Sequence, residues 1–122
     1  MRTWVAIAIA GATGVLARHA VQQIVPRHGA IPWGTFVVNV SGAFVLGLAF
    51  TIIVHRYSVP LWLQEAALIG FLGGYTTFSA LALETFLLID RGRLWVATAY
   101  SIGSVATGVL ALFGGVRLGR LS

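Results

Sequence analysis

The side chains with chemistry to offer in this sequence are few, and they sit inside apolar runs. Asn39 falls near the middle of one run, where its amide brings two donors and an acceptor. Tyr100, Ser104 and Thr107 recur at spacings of four and three, which sets three hydroxyls along one helical face. Arg18 and Glu84 are charges near the ends of their runs, where an ionisable group is paired, functional, or reaching back to the interface. In Gly70-Phe71-Leu72-Gly73-Gly74-Tyr75-Thr76-Thr77-Phe78-Ser79, adjacent glycines precede two β-branched threonines, a composition that weakens a helix at mid-run. Backbone groups released at such a point in lipid must face protein, water or an ion. Carbonyls freed there can hold a monovalent cation, while the half-helix that follows presents its N-terminus to an anion. The plainer alternatives are an interhelical hydrogen bond for Asn39 and hydroxyls bonded back to their own helix.

The elements that must position these groups are membrane spans. Of the 122 residues, 58% are hydrophobic and only 9% charged, far from the roughly 25% charge of a soluble domain. Apolar runs cover approximately 3–24, 33–54, 63–89 and 94–116, each long enough to cross a bilayer at about 20 residues per helix. One four-helix transmembrane domain therefore occupies residues 1–122, and no length remains for a catalytic module. Pro26 to Gly29, His55 to Pro60 and the turn Asp90-Arg91-Gly92-Arg93 separate the runs. Trp4, Trp33, Trp62 and Trp95 stand at or near their ends, the interfacial position of membrane tryptophans. The first run continues to Ile24, which favours a retained span over a cleaved signal peptide. The 15 glycines include the pairs Gly70 and Gly74, Ser104 and Gly108, and Gly11 and Gly14, a small-residue spacing that lets helices approach closely. Gly42, Ala43 and Gly47 are expected to leave room in front of Asn39.

There is no cysteine, and His19, His28 and His55 form no metal motif. Eight arginines and no lysine face Glu65, Glu84 and Asp90, giving a net charge of +5. With four spans, one side collects Arg2, Arg56, Arg117 and Arg120, and the other Arg27, Arg91 and Arg93, joined by Arg18 if it reaches out. So even a balance gives the positive-inside rule little to act on. Two readings stay open: inverted copies pairing as an antiparallel homodimer, or a small bias that orients every copy alike. The first span holds no carboxylate, and with Glu65 near the entry of the third span Glu84 is the one carboxylate inside the membrane, so the interior suits an anion better than a cation.

Three blocks together carry a resemblance: Gly11 to Arg18 (Gly-Ala-Thr-Gly-Val-Leu-Ala-Arg), Gly34 to Gly47 around Asn39, and Gly70 to Ser79 ending in Thr-Thr-Phe-Ser. In order and spacing they are similar to the signature blocks of the Fluc (CrcB-type) fluoride channels, across essentially the whole chain. The resemblance implies an all-α dual-topology antiparallel homodimer of four-helix subunits with a broken third helix and two fluoride pores. It further implies a structural sodium ion at the dimer centre, held by backbone carbonyls whose matching positions are Gly73 and Thr76. Asn39 matches the pore asparagine, Phe78 the first pore phenylalanine, and Tyr100 and Ser104 the polar track of the last helix. Arg18 and Glu84 match positions of structural weight or at the pore entrance. Leu81 departs from the pattern, standing where a second phenylalanine is common, and Gly108 stands where a further hydroxyl is expected.

The expected function is passive efflux of cytoplasmic fluoride through a multi-pass protein of the bacterial inner membrane, lowering fluoride toxicity without enzymatic chemistry. Fluoride is small, strongly hydrated and a strong acceptor, so a dehydrating pore must replace water with close donors. Asn39, Tyr100, Ser104 and Thr107 can donate, and the positive edge of the Phe78 ring can face an anion without trapping it. The expected partners are fluoride, lipid and a second copy, with no nucleic acid. A small proton-coupled multidrug exporter is the alternative and would rest on Glu84; an assembly subunit of a larger membrane complex is the non-transport reading.

Overall fold

A computed structural model describes residues 1–55 and 57–122; Arg56, counted above with the middle connector, lies outside the described residues. Every regular element among the described residues is a helix. Helix α1 spans Arg2–Ile24 and α2 spans Trp33–His55. The third run is built in pieces: α3 (Leu61–Glu65), a π-helical turn (Ala66–Phe71), α4 (Leu72–Tyr75) and α5 (Phe78–Asp90). Helix α6 spans Leu94–Leu121. Counting Leu61–Asp90 as one 30-residue unit, four helices are long and apolar enough to cross a membrane.

Local chemistry sets most of the boundaries. Val25, which closes α1, is extended at φ −68° and ψ 122°, because the ring of Pro26 disfavours helical geometry in the residue before it. Pro60 opens α3, where its missing N–H costs nothing. Gly92 takes φ +74° in the turn between α5 and α6, a conformation that side chains disfavour. The last helix runs past the expected end at 116 and carries Arg117 and Arg120 with it. Arginine is a good helix former, so the helix does not stop where the apolar run does.

Two backbone-to-backbone crossings organise the bundle. Helix α1 lies against the third run: a Cβ on Gly14 would overlap the Phe71 carbonyl, and one on Gly74 the Gly11 carbonyl. Helices α2 and α6 meet where a Cβ on Gly47 would overlap the Leu112 carbonyl and one on Gly115 the Phe44 carbonyl. Close packing of this kind holds helices together in lipid, where hydrophobic burial offers no drive. The Arg2 guanidinium lies 4.2 Å from the centre of the Trp62 ring, tying the start of α1 to α3. Leu81, Leu88, Ala97 and Tyr100 form a small buried cluster between α5 and α6. Many other large apolar side chains point outward, Trp95 and Leu110 among them, the distribution a lipid solvent favours.

The glycine expectations divide. Gly11, Gly14, Gly70 and Gly74 pack as expected, whereas Gly108 has no atom within 4 Å of where its Cβ would be and lines a cavity with Ser104. Gly42 and Gly47 do not leave open space near Asn39: Thr76 and Tyr75 fill the first position and α6 the second.

Candidate functional site

The site is built around two residues that leave the helical region. Thr76 lies at φ −81° and ψ 156°, and Thr77 at φ −149° and ψ 110°. Asn39 on α2 engages both polar groups of Thr77: its Oδ1 accepts from the Thr77 amide at 2.8 Å, and its Nδ2 donates to the Thr77 carbonyl at 3.0 Å. One side-chain amide thus supplies what a neighbouring strand would, satisfying backbone groups that lipid would leave unpaired. The Thr77 hydroxyl accepts from the Ala80 amide at 3.2 Å and so caps α5. Arg18 donates to the Thr76 carbonyl at 3.4 Å, so the first span's charge is turned inward onto the interruption. Ser41 and Tyr75 bond to each other through their hydroxyls at 2.9 Å, a second link from α2 to the same region.

A cavity of about 350 Å³ opens beside Asn39 and Thr77, bounded by Phe78, Leu81, Ser104 and Gly108. Ser104 is 4% exposed, and its Oγ has no hydrogen-bond partner among the described residues. A buried hydroxyl without a partner costs about 1–3 kcal/mol, and here it stands at the cavity wall. Asn39 keeps one N–H beyond the one given to Thr77. The Phe78 ring borders the cavity and is 80% exposed on this single chain.

One helical turn away lies a second polar layer on the same three helices: Thr35 precedes Asn39 by four residues, Tyr100 precedes Ser104 by four, and Glu84 follows Leu81 by three. The Glu84 carboxylate accepts from the Thr35 hydroxyl at 2.8 Å and from the Tyr100 hydroxyl at 2.6 Å. Gln22 of α1 donates to Thr35 at 3.2 Å. Thr35 and Glu84 form part of the wall of another cavity, of about 370 Å³, with Arg27 also on its lining.

The sequence-derived residues therefore fall into groups. Asn39, Phe78 and Ser104 share one cavity, with Thr76 also on its wall. Tyr100 and Glu84 are joined in the neighbouring layer. Thr107 lines neither cavity, because three residues advance a helix by about 300° and carry it off the face that four-residue steps continue through Gly108. Gly73 has no atom within 4 Å of its Cβ position. Sequence reasoning missed Thr35, Thr77 and Gln22 as participants. The four-residue step from Asn39 back to Thr35 was the available signal.

Helices of bilayer length, packed on glycines around a polar interior with an unpaired hydroxyl, define a small multi-pass membrane protein of the channel or transporter class. Comparison with known proteins narrows this. Residues 5–116 match the family described as CrcB-like protein, Camphor Resistance (CrcB), and the chain belongs to that family. A Solibacter usitatus protein named fluoride-specific ion channel FluC is 44% identical over 116 residues, 93% of this chain and 95% of the relative. Fluoride-specific ion channel FluC 2 of Nitrobacter hamburgensis is 43% identical over 114 residues, 92% of each chain. A FluC of Magnetococcus marinus is 39% identical over 117 residues, 94% of this chain and 95% of the relative.

Proposed function

We propose that this chain is a fluoride-selective channel that lets cytoplasmic fluoride leave the cell passively through the bacterial inner membrane. The observation that carries the reading is Ser104: a buried hydroxyl with no partner among the described residues, on the wall of a cavity that Thr76 and Thr77 also line. An anion that accepts strongly and sheds water is the ligand such a donor suits. The remaining N–H of Asn39 and the edge of Phe78 add to the same wall. Weak acid HF crosses membranes neutral and ionises in a neutral cytoplasm, after which a negative-inside potential drives the anion out with about 2.3 kcal/mol per 100 mV.

The working unit is an antiparallel homodimer. Nearly balanced arginines support dual topology, and the exposure of Phe78 supports a partner that covers it. Gly73 and Thr76 fit a sodium ion by donor type, with the Thr76 carbonyl shared with the Arg18 guanidinium at 3.4 Å. The Thr77 amide, which would close on the Gly73 carbonyl in a continuous helix, is turned to Asn39. The Gly73 position is open, and neutral carbonyl oxygens are hard donors suited to an alkali ion. Two carbonyls per chain become four in a dimer. Bound there, the ion would supply charge that holds two interrupted helices together.

The test is anion efflux from liposomes carrying the purified protein, followed with ion-selective electrodes. Fast fluoride efflux with negligible chloride efflux is expected; no flux of either ion would overturn the reading and return the protein to a scaffold role.

A further inference from the structure

Threonine hydroxyls in this bundle usually serve their own helix. Thr13, Thr51, Thr76, Thr85 and Thr98 each donate to the carbonyl four residues back, at 2.7 to 2.9 Å. Thr35 does otherwise: it is 2% exposed and donates to Glu84. It stands in the first turn of α2, where the carbonyl four residues back, on Ile31, lies outside the helix and accepts from the Trp33 amide; on its acceptor side Gln22 Nε2 donates into the Thr35 oxygen at 3.2 Å. A hydroxyl has one proton, and an N–H on its acceptor side leaves that proton to point elsewhere. Gln22 is itself held in place, since the bare backbone of Gly34 lies under its stem. A Cβ there would come within 3.3 Å of the Gln22 Cα and 3.4 Å of its Cγ.

We infer that Gln22 is a positioning residue for the Glu84 carboxylate. By donating to Thr35 it commits the Thr35 proton to Glu84, so that Thr35 and Tyr100 together hold the negative charge against the helices and off the route between the two cavities. The inference rests on the reading that fluoride passes this layer. Without Gln22 the Thr35 hydroxyl is free to rotate away from Glu84. Glu84 then keeps one donor, and its charge opposes a passing anion. The charged and titratable groups around Gln22 are Glu84 and Tyr100 across the layer, Arg27 on the shared cavity, and Arg18 and His19 on its own helix.

The experiment is fluoride current through planar bilayers, in which neutral HF carries nothing. Gln22→Glu places an acceptor against Thr35 at high pH and a donor once protonated. Its current should be depressed near pH 8 and recover toward about pH 4, close to the ~4.3 at which a model glutamate is half protonated, relative to a wild-type profile without that recovery. Gln22→Leu should lower current about twofold to tenfold, the worth of one neutral hydrogen bond. It should add nothing in a Thr35→Val background, where the group it acts through is gone. A Gln22→Glu current equal to wild type, or depressed equally at every pH, overturns the inference, as do Gln22→Leu and Thr35→Val losses that multiply. Glu84→Gln separates the two failures: if it conducts like wild type while Gln22→Glu is silent, the route past Glu84 is wrong. If Glu84→Gln alters current while Gln22→Glu is silent, the assignment of Gln22 alone falls.

Discussion

Asn39→Asp changes one group of the amide from donor to acceptor and adds a charge, and both consequences can be worked from the geometry. The retained oxygen still accepts from the Thr77 amide, but the atom replacing Nδ2 faces the Thr77 carbonyl at about the 3.0 Å of the lost bond. An unpaired buried carbonyl costs about 1–3 kcal/mol. For an anion in the adjoining cavity, one added negative charge at about 4 Å and an effective dielectric near 20 opposes passage by about 4 kcal/mol. At about 1.4 kcal/mol per factor of ten, fluoride flux should fall about a thousandfold. The assay is fluoride efflux from liposomes at neutral pH, with size-exclusion chromatography showing that the oligomer persists. Asn39→Ala is the control, because it removes the brace without adding charge and should lose less flux. Flux in Asn39→Asp within about threefold of wild type would refute the reasoning, since that leaves under 1 kcal/mol for the charge. Equal losses in Asp and Ala would place the effect in the brace alone.

Other substitutions test the remaining parts. Ser104→Ala removes an unpartnered buried hydroxyl. Thermal stability should hold or rise by about 1 kcal/mol while fluoride flux falls about tenfold to a hundredfold, the worth of a hydrogen bond to a charge. Gly115→Ala drives a Cβ into the Phe44 carbonyl and should cost about 1–3 kcal/mol as overpacking, read as a lower melting temperature in detergent. Thr77→Val removes the cap of α5 and should cost about 1 kcal/mol, read in the same melting assay.

The spans were legible because each rests on a run of apolar residues closed by proline, glycine or charge, and a bilayer fixes the length required. A weak helix-forming stretch around Thr76 and Thr77 was legible too, since adjacent glycines before paired threonines are poor helix formers wherever they occur. The destination of the backbone groups was not: that Asn39 takes both polar atoms of Thr77 depends on α2 lying beside the third run. The π-helical turn at Ala66–Phe71 has no local signature, being a response of an ordinary apolar stretch to packing on α1. Glu84 stood out as an intramembrane acid, but its donors come from α2 and α6, and no pattern within one helix could reveal them. Thr107 stands apart from both cavities, because a spacing of three and a spacing of four diverge around the helix and only one continues the wall that Ser104 begins.

The brace from Asn39 to Thr77 also bears on biogenesis. When the third run first leaves an insertion machinery, an extended Thr77 would present an unpaired N–H and C=O to lipid, at a cost of several kcal/mol. An uninterrupted helix avoids that cost, so the segment enters the bilayer as one rod. Its departure from the helix comes only when it docks against α2, which precedes it in the chain and carries the amide that receives it. Assembly order is thereby written into a single side chain: partitioning into lipid precedes shaping, and the shape is acquired from a neighbour.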